Sequence, residues 1–135
     1  MSDCIFCKII SGELPSHRVY EDDIVLAFLD INPVNPGHTL VIPKQHFADL
    51  SDLPEAIAHA MLSVVQKIAP SILSAVESGG YNLGVNNGVA AGQVVFHSHF
   101  HIMPRFENDG HALWKGKDMG QDNLRDLAEK IRGCL

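Results

Sequence analysis

Several short stretches of the chain are rich in β-branched, aromatic and other apolar residues, which predicts β-strands, and the last of them alternates with the period of two that is typical of a strand. The stretches are 19–20, 24–29, 39–42, 81–85 and 96–103. Between the third and the fourth, apolar residues recur every three or four positions from 52 to about 76, which predicts an amphipathic helix. Pro70 should kink or interrupt this helix, because proline lacks an amide hydrogen and clashes with the preceding turn. Gly79 and Gly80 should end it.

A second, shorter helix is predicted near the C-terminus and should end at Gly133. The apolar residues on one of its faces are Leu124, Leu127, Ala128 and Ile131. Segments 30–38 and 104–120 show neither period and are predicted to be irregular. The order of elements predicts an α+β fold with about five antiparallel strands, one long central helix and a short C-terminal helix. Residues 1–135 contain no repeat or linker and should form a single domain.

One predicted strand, 96–103, has a histidine at every second position: His97, His99 and His101. Side chains two residues apart on a strand share a face, so the three imidazoles should lie in a row about 6.6 Å apart. The other face should then carry Phe96, Phe100 and Ile102. Imidazole can be a nucleophile, a proton carrier or a metal ligand near neutral pH. The row therefore indicates a functional site, and the alternative is three half-exposed histidines on an amphipathic strand.

Cys4 and Cys7 form a Cys-x-x-Cys motif near the N-terminus. Such a pair of thiols most often binds zinc or forms a redox dithiol, although the βαβ setting of the redox motif is missing here. No second Cys-x-x-Cys follows, so zinc would need two ligands from distant parts of the chain. The candidates are His46 and His97. The remaining alternative is two unrelated small hydrophobic side chains.

The segment 86–93, Asn-Asn-Gly-Val-Ala-Ala-Gly-Gln, precedes the histidines directly. Small residues allow backbone amides, together with the side chains of Asn86 and Gln93, to approach an anion closely. The segment lacks the lysine of a Walker motif. It is thus a phosphate-binding loop or a flexible hairpin connection.

Charge and cysteine content narrow the class of protein. The formal net charge of -6 argues against binding nucleic acid or an anionic membrane through a broad basic surface. No run reaches the 18 or so apolar residues of a membrane span, and the N-terminus does not resemble a signal peptide. We therefore expect a cytoplasmic location. Three cysteines are too few for a disulfide framework and should be reduced thiols or metal ligands.

The motif Gly92–Gln93 followed by 97–103, His-Ser-His-Phe-His-Ile-Met, resembles the signature of the histidine-triad (HIT) family. Further segments resemble the bacterial nucleotide-binding branch of that family: 4–10, 19–22, 27–31 and 37–44. The resemblance covers the core 4–105, whereas 106–135 matches much less.

This resemblance implies a homodimeric α+β protein that binds a purine nucleotide and catalyses hydrolysis or nucleotidyl transfer at the α-phosphorus. The substrate would be a nucleoside phosphoramidate or a dinucleoside polyphosphate. His99 would be the nucleophile and form a nucleotidyl-histidine. His101 would hold phosphate oxygens and assist proton transfer, and Asn86 and Gln93 would donate hydrogen bonds to the phosphate.

The resemblance also implies a sugar site, a base site and a metal site. Asp30 would accept hydrogen bonds from the ribose, with His38 near the same sugar. Phe6, Ile9, Phe28 and Ile31 would form the apolar slot for the base, unless they are ordinary core residues. The bacterial zinc-containing members share the Cys-x-x-Cys and the histidine after Pro-Lys, which implies zinc on Cys4, Cys7, His46 and His97. Four protein ligands leave no position for water, so this zinc would be structural.

Val94 departs from the family pattern, because many relatives have serine or threonine there, with a hydroxyl that reaches the leaving group. Loss of a proton donor slows the departure of an amine, whereas a phosphate leaves without one. Two rival functions stay open: a zinc hydrolase in which the triad itself binds the metal, and a nucleotide-binding or partner-binding module with little catalysis.

Overall fold

The computed structural model describes residues 3–135. Its five strands are β1 (Arg18–Glu21), β2 (Val25–Leu29), β3 (Thr39–Pro43), β4 (Gly80–Gly84) and β5 (Phe100–Arg105). They form one sheet in the order β1-β2-β3-β5-β4, and each neighbouring pair is antiparallel. Three α-helices accompany the sheet: α1 (Ile5–Ile10), α2 (Glu55–Val76) and α3 (Gln121–Gly133). The predicted fold class is confirmed.

Helix α2 runs through Pro70 without interruption, so the predicted interruption is wrong. Pro70 and Gln66 both lie on the exposed side of the helix. Because proline has no amide hydrogen, the Gln66 carbonyl loses its helical hydrogen-bond partner, and water can take its place. The helix ends at Val76, as predicted, but its C-cap is Glu77, and the glycines predicted to end it lie further along the chain. Glu77 adopts the left-handed conformation at φ 57°, and the Ser78 amide donates to the Leu73 carbonyl at 2.9 Å.

By length and composition alone, α2 is apolar enough to cross a membrane, with a mean hydropathy of 1.4 over its best window. In the structure its apolar stripe packs against the sheet instead. The buried residues of this stripe are Met61, Val64, Val65, Ile68, Ala69 and Ile72. The hydropathy of α2 is therefore that of a core helix.

The two faces of the sheet have separate cores, because side chains alternate along each strand. One face packs on α2 through Val25, Ala27, Val41, Phe100 and Ile102. The opposite face, which we call the α1 face, carries Leu26, Phe28, Leu40 and Ile42 together with Phe6 and Ile9 of α1. This second core surrounds the candidate site.

The histidine segment differs from its prediction as one continuous strand. Strand β5 begins at Phe100, so only His101 lies on it, while His97 and His99 precede it. The cause is tertiary: β3 pairs with β5 only from Phe100 to Ile102, and the Ser98 amide instead donates to the Phe47 carbonyl at 2.7 Å. Phe96 was predicted to share a strand face with Phe100 and Ile102, but it precedes β5, and its side chain is 46% exposed whereas theirs are buried.

The hydrogen bonds of residues 112–135 lie within that segment, whereas residues 106–111 are bonded to the rest of the chain. Strand β5 continues through Pro104 to Arg105, so the irregular segment begins at 106 instead of 104. Helix α3 forms as predicted, but it has no buried residue, and its apolar face is exposed. Trp114, in the irregular segment, is fully exposed.

Candidate active site

A cavity of about 620 Å³ opens on the α1 face of the sheet. Its apolar part is formed by α1 and the ends of β2 and β3, and its polar part by the histidine segment and the loop before it. Of the residues predicted for the site it brings together Phe6, Ile9, Phe28, Asp30, Ile31, Asn86, His99 and His101. Three other predicted residues are buried and do not line the cavity: His38, Gln93 and His97.

His99 is held by the backbone of its own segment. Its Nδ1 lies 2.7 Å from the carbonyl oxygen of His97, which can only accept, so Nδ1 carries the proton. The Nε2 lone pair of the neutral ring is therefore free. Burial lowers the pKa of His99, which favours the neutral ring. His99 is thus a buried imidazole with an unprotonated nitrogen beside a cavity.

His101 is oriented through a chain of hydrogen bonds that begins at a backbone amide. The Val34 amide donates to Nδ1 of His38 at 3.0 Å, so the proton of the neutral His38 ring is on Nε2. This Nε2 donates to Nδ1 of His101 at 2.9 Å. The proton of His101 is then on its own Nε2, which is buried without a hydrogen-bond partner in the described residues and belongs to a cavity-lining ring.

Both rings of this chain favour the neutral form. Burial lowers the pKa of His38, and burial together with the neighbouring His99 and His38 lowers the pKa of His101 to about 4. Neutral His101 cannot supply a formal proton easily, but it can donate a strong hydrogen bond from Nε2. The site therefore combines one acceptor nitrogen, on His99, with one donor nitrogen, on His101.

Asp30 lies at the edge of the cavity, just after β2. Its Oδ1 accepts from the Asn32 amide at 2.8 Å, and its Oδ2 lies 3.6 Å from Nε2 of His38. The carboxylate is partly exposed and can accept further hydrogen bonds. Ile31, next to it, is 81% exposed and lies at the mouth of the cavity.

Gln93 stands apart from the cavity, unlike its predicted role as a donor to phosphate. Its Oε1 accepts from the Gly88 amide at 2.8 Å, and its Nε2 donates to the carbonyls of Ala48 and Val95 at 2.7 and 3.1 Å. Its polar atoms thus connect the loop 86–93 to the backbone at Ala48 and Val95. Asn86 lines the cavity.

Phe6, Ile9 and Phe28 belong both to a core and to the wall of the cavity. They are buried members of the core on the α1 face, and they also line the cavity. The rings of Phe6 and Phe28 meet edge to face at 5.6 Å, and Phe6 also contacts His99 edge to face at 5.0 Å. The cavity thus has a rigid aromatic wall.

Four side chains from three parts of the chain meet beside the cavity: Cys4, Cys7, His46 and His97. Their ligand atoms all lie within 4.8 Å of one another. The S–N distances are 3.5 Å for Cys4–His97, 3.4 Å for Cys7–His46 and 3.6 Å for Cys7–His97, and the two Nδ1 atoms are 3.2 Å apart. Tetrahedral zinc would space S and N by ~3.5 Å and two nitrogens by ~3.3 Å. The four residues therefore fit a zinc ion.

The tautomer of His97 also fits a metal site. Its Nε2 donates to the Pro43 carbonyl at 2.8 Å, which leaves the Nδ1 lone pair directed toward the cysteines. Burial, followed by the neighbouring Cys4, raises the pKa of the Cys7 thiol in the absence of a cation. A zinc ion would supply the charge that stabilises both thiolates.

The three triad histidines do not converge on one point within the described residues. His97 faces the cysteines, whereas His101 forms a group with Asp30 and His38. This geometry argues against a metal bound by the triad itself. In the second group, His38 and His101 are already hydrogen-bonded to each other.

Residues 11–108 match the HIT domain, which is more than half of the chain. The chain belongs to the HIT family. It is 48% identical to adenylylsulfatase HINT3 of Arabidopsis thaliana, over 99% of this chain and 68% of that protein. A histidine triad nucleotide-binding protein from Candida albicans has a similar crystal structure, with a TM-score of 0.86 and 38% identity, over 97% of this chain and 96% of the other. A zinc-bound histidine triad family protein from Mycobacterium smegmatis matches with a TM-score of 0.78 and 38% identity over 99% of both chains.

Sequence reasoning missed several parts of this HIT site. Helix α1 was not predicted, because six residues are too few to show a helical period. Leu40 and Ser16 line the cavity without any local signal in the sequence. The carbonyl of Pro43, which orients His97, belongs to the backbone and leaves no trace in residue identity.

Proposed function

We propose that this HIT protein is a purine nucleotide hydrolase or nucleotidyl transferase that acts at the α-phosphorus through a nucleotidyl group on His99. The observation that carries this proposal is the bond from His99 Nδ1 to the His97 carbonyl, which leaves Nε2 as a free nucleophile beside the cavity. The base is proposed to lie against Phe6 and Phe28, and the ribose hydroxyls to donate to Asp30.

The chemistry is a double displacement at phosphorus. Nε2 of His99 attacks the α-phosphorus, an N–P bond forms, and the leaving group departs with the electron pair of its broken bond. Water then attacks the same phosphorus, the N–P bond breaks, and one proton of the water is released. The products are a nucleoside monophosphate and the neutral His99 ring. An acceptor other than water would make the reaction a transfer.

His101 is proposed to stabilise charge on the phosphate oxygens. Its Nε2 proton has no hydrogen-bond partner among the described residues, and a buried donor without a partner costs free energy until something accepts from it. A nonbridging phosphate oxygen is an acceptor of the required kind. We assign Gln93 a supporting role, because its polar atoms hold the loop that carries Asn86.

The leaving group is proposed to be the anion of a strong acid, such as a phosphate or a sulfate, more readily than an amine. Val94 lines the cavity, is 86% exposed and offers no hydrogen-bond donor. An anion of a strong acid departs without a proton, whereas an amine needs one. The similarity to an adenylylsulfatase agrees with this preference.

Zinc is proposed as a structural ion on Cys4, Cys7, His46 and His97. The distances and the tautomer of His97 fit zinc, and a zinc-bound relative exists. With four protein ligands the ion has no open position for water, so it would tie the N-terminal segment to the histidine segment. His97 would then bind metal with its ring and orient His99 with its carbonyl.

A homodimer is proposed because the C-terminal part exposes apolar side chains that the chain itself does not cover. Leu113 is 71% exposed and Trp114 fully exposed, while Leu124, Leu127 and Ile131 of α3 are 41–54% exposed. A second copy is the proposed cover. Sedimentation of the full chain should give twice the monomer mass, and Leu127→Asp should shift the protein toward monomer.

The decisive experiment is to trap the nucleotidyl-histidine. The protein is mixed with an adenosine 5′-phosphosulfate or a diadenosine polyphosphate, denatured in base because the N–P bond is labile to acid, and examined by mass spectrometry. We expect one nucleotidyl group on the peptide that contains His99. His99→Ala should lose both adduct and turnover while binding adenosine monophosphate within about tenfold of the wild type. Turnover that persists in His99→Ala would refute the mechanism, and tight nucleotide binding without any turnover would favour a binding module.

A further inference from the structure

A buried carboxylate outside the cavity anchors the segment that carries His38. Asp109 lies in the irregular segment after β5, and its side chain is only 6% exposed. It accepts from Arg105 Nε at 2.7 Å and Nη2 at 3.0 Å, and from the backbone amides of Phe106 and His111 at 3.2 and 3.0 Å. Its remaining contact is Asn35 Nδ2, at 2.9 Å. We call this arrangement the Asp109 clamp.

The clamp reaches the loop 30–38 at two adjacent residues. Asn35 Nδ2 donates both to Asp109 and to the Pro104 carbonyl, the latter at 3.0 Å. The second connection is His111, whose Nε2 donates to the Val34 carbonyl at 3.0 Å. His111 is itself fixed through its backbone amide by Asp109. Val34 and Asn35 are therefore both tied to the end of β5.

These two residues are also the ones that hold His38. The Val34 amide donates to His38 Nδ1, and the Asn35 carbonyl accepts from the His38 amide at 3.1 Å. A shift of Val34 would remove the donor that keeps the His38 proton on Nε2. His38 could then adopt the other tautomer and present a lone pair to His101.

The other side of the loop 30–38 is closely packed at Gly37. Gly37 has a φ of 89°, which is a left-handed conformation that disfavours other residues. A Cβ on it would come within 3.1 Å of Ile72, Val76 and Pro104. The loop is therefore pressed against α2 and β5 on one side and bonded to the clamp on the other.

The clamp should act constantly and not as a switch. The pKa of Asp109 is held well below its usual range, first by Arg105 and then by the backbone amides of His111 and Phe106. The carboxylate is thus ionised at neutral pH. Its role is to fix a geometry.

We propose that Asp109 is a positioning residue for His101, acting through Asn35 and Val34 on the tautomer of His38. The Asp109 carboxylate would set the direction of a chain of hydrogen bonds that ends at the Nε2 proton of His101. The catalytic meaning of this role rests on the proposed function, but the tautomer of His101 can be measured without any substrate.

The test compares Asp109→Asn and Asn35→Ala with the wild type by nitrogen-15 NMR of labelled histidines. Asp109→Asn keeps the size of the side chain but removes the charge and one acceptor. Asn35→Ala leaves the Arg105–Asp109 pair intact and cuts one of the two links to the loop, while the bond from His111 to the Val34 carbonyl remains. In the wild type we expect His101 as the Nε2–H tautomer. In both variants we expect a mixture of tautomers, with a fall in kcat of about 10-fold to 100-fold and KM within about threefold.

Glu21→Gln is the matched control, because Glu21 also pairs with an arginine, Arg18, but has no contact with the loop. It should leave the His101 tautomer and kcat unchanged. An unaltered tautomer in folded Asp109→Asn would overturn the proposal, even if kcat fell. If no nucleotide is turned over by the wild type, the proposed function fails, while the tautomer comparison still decides the role of the clamp.

Discussion

The two faces of the sheet are built from the same strands but are stabilised in different ways. On the α2 face, Phe100 and Ile102 of β5 pack into an apolar core beneath a 22-residue helix. On the α1 face, His101 lies between them in sequence and is held by a hydrogen bond to His38. The six-residue helix α1 covers this face only in part, and the cavity remains.

This difference shows how a small domain can separate stability from chemistry. Burial of apolar area is non-directional and contributes most of the folding free energy. Hydrogen bonds of fixed direction determine which nitrogen of each imidazole carries a proton. Because neighbouring residues of β5 point to opposite faces, a substitution on one face should affect one property and spare the other.

The largest expected effects come from a pair of substitutions three residues apart, one on each face. His99→Ala should lower turnover by at least about 10⁴-fold and change the free energy of unfolding by less than about 1 kcal/mol. Ile102→Ala should lower the free energy of unfolding by about 2–5 kcal/mol and keep kcat within about twofold at a temperature where it is folded. Urea denaturation and steady-state kinetics on both variants measure this. Equal losses of stability and turnover in each variant would contradict the separation of the faces.

The proposed zinc ion would stabilise the α1 face, whose apolar core is smaller than that of the α2 face. Cys7→Ser should reduce the bound zinc to less than half and lower the melting temperature by roughly 5–10 °C. Elemental analysis and calorimetry of unchelated protein provide the measurements. Cys134→Ser is the control, since Cys134 is exposed and outside the cluster. Wild-type protein with only traces of zinc would refute the metal assignment.

Acid should destabilise the protein mainly through the α1 face. The pKa of His101 is lowered from 6.5 to about 4, so between these values the unfolded chain binds a proton that the folded protein does not. The free energy of unfolding is therefore unaffected by this group above a pH of about 6.5. It falls by about 1–3 kcal/mol as the pH is lowered toward 4. In His101→Gln the free energy of unfolding should depend less steeply on pH between about 4 and 6.5 than in the wild type. Both proteins are measured with zinc present. His59→Gln, on the exposed side of α2, should leave the slope as in the wild type.

The smallest expected effect is a gain of activity at the rim of the cavity. Val94→Ser should raise the rate on adenosine phosphoramidates by about threefold to a hundredfold and have less effect on diadenosine polyphosphates. Val94→Thr keeps the branched shape and adds the same hydroxyl, so it should raise the phosphoramidate rate as Val94→Ser does. Val94→Ala adds no hydroxyl and should leave this rate unchanged. Equal effects on both substrate classes would mean that another group already protonates the leaving group.

The fold was predictable wherever local periodicity coincides with burial. Strands β2 and β3 and the amphipathic helix α2 follow directly from the pattern of apolar residues. The limits of β5 could not be predicted, because they depend on where β3 stops pairing and on the bond from Ser98 to Phe47. The end of α2 at Val76 follows from the same pattern, but the left-handed Glu77 that caps it could not be predicted, because glycine is the residue that usually takes this conformation.

The sequence identified many residues of the candidate site, but it predicted only some of the contacts between them. His46 and His97 were identified as possible partners of the cysteines, and the structure brings all four together. The pairing of His38 with His101, 63 residues apart, needs the three-dimensional fold. Gln93 carried a polar side chain in the expected loop, but sequence cannot tell a group that faces a ligand from one that holds the backbone.

The carbonyl of His97 that orients His99 has a consequence for how this site tolerates mutation. In sites where a carboxylate side chain orients the histidine, a single codon change can delete the acceptor. Here the acceptor is a peptide oxygen, which every amino acid at position 97 provides. Alanine scanning is therefore blind to it, and replacement of the 97–98 amide by an ester through chemical ligation would be needed to weaken it. The group that determines which nitrogen of His99 carries the proton is thus insensitive to the side chain at position 97.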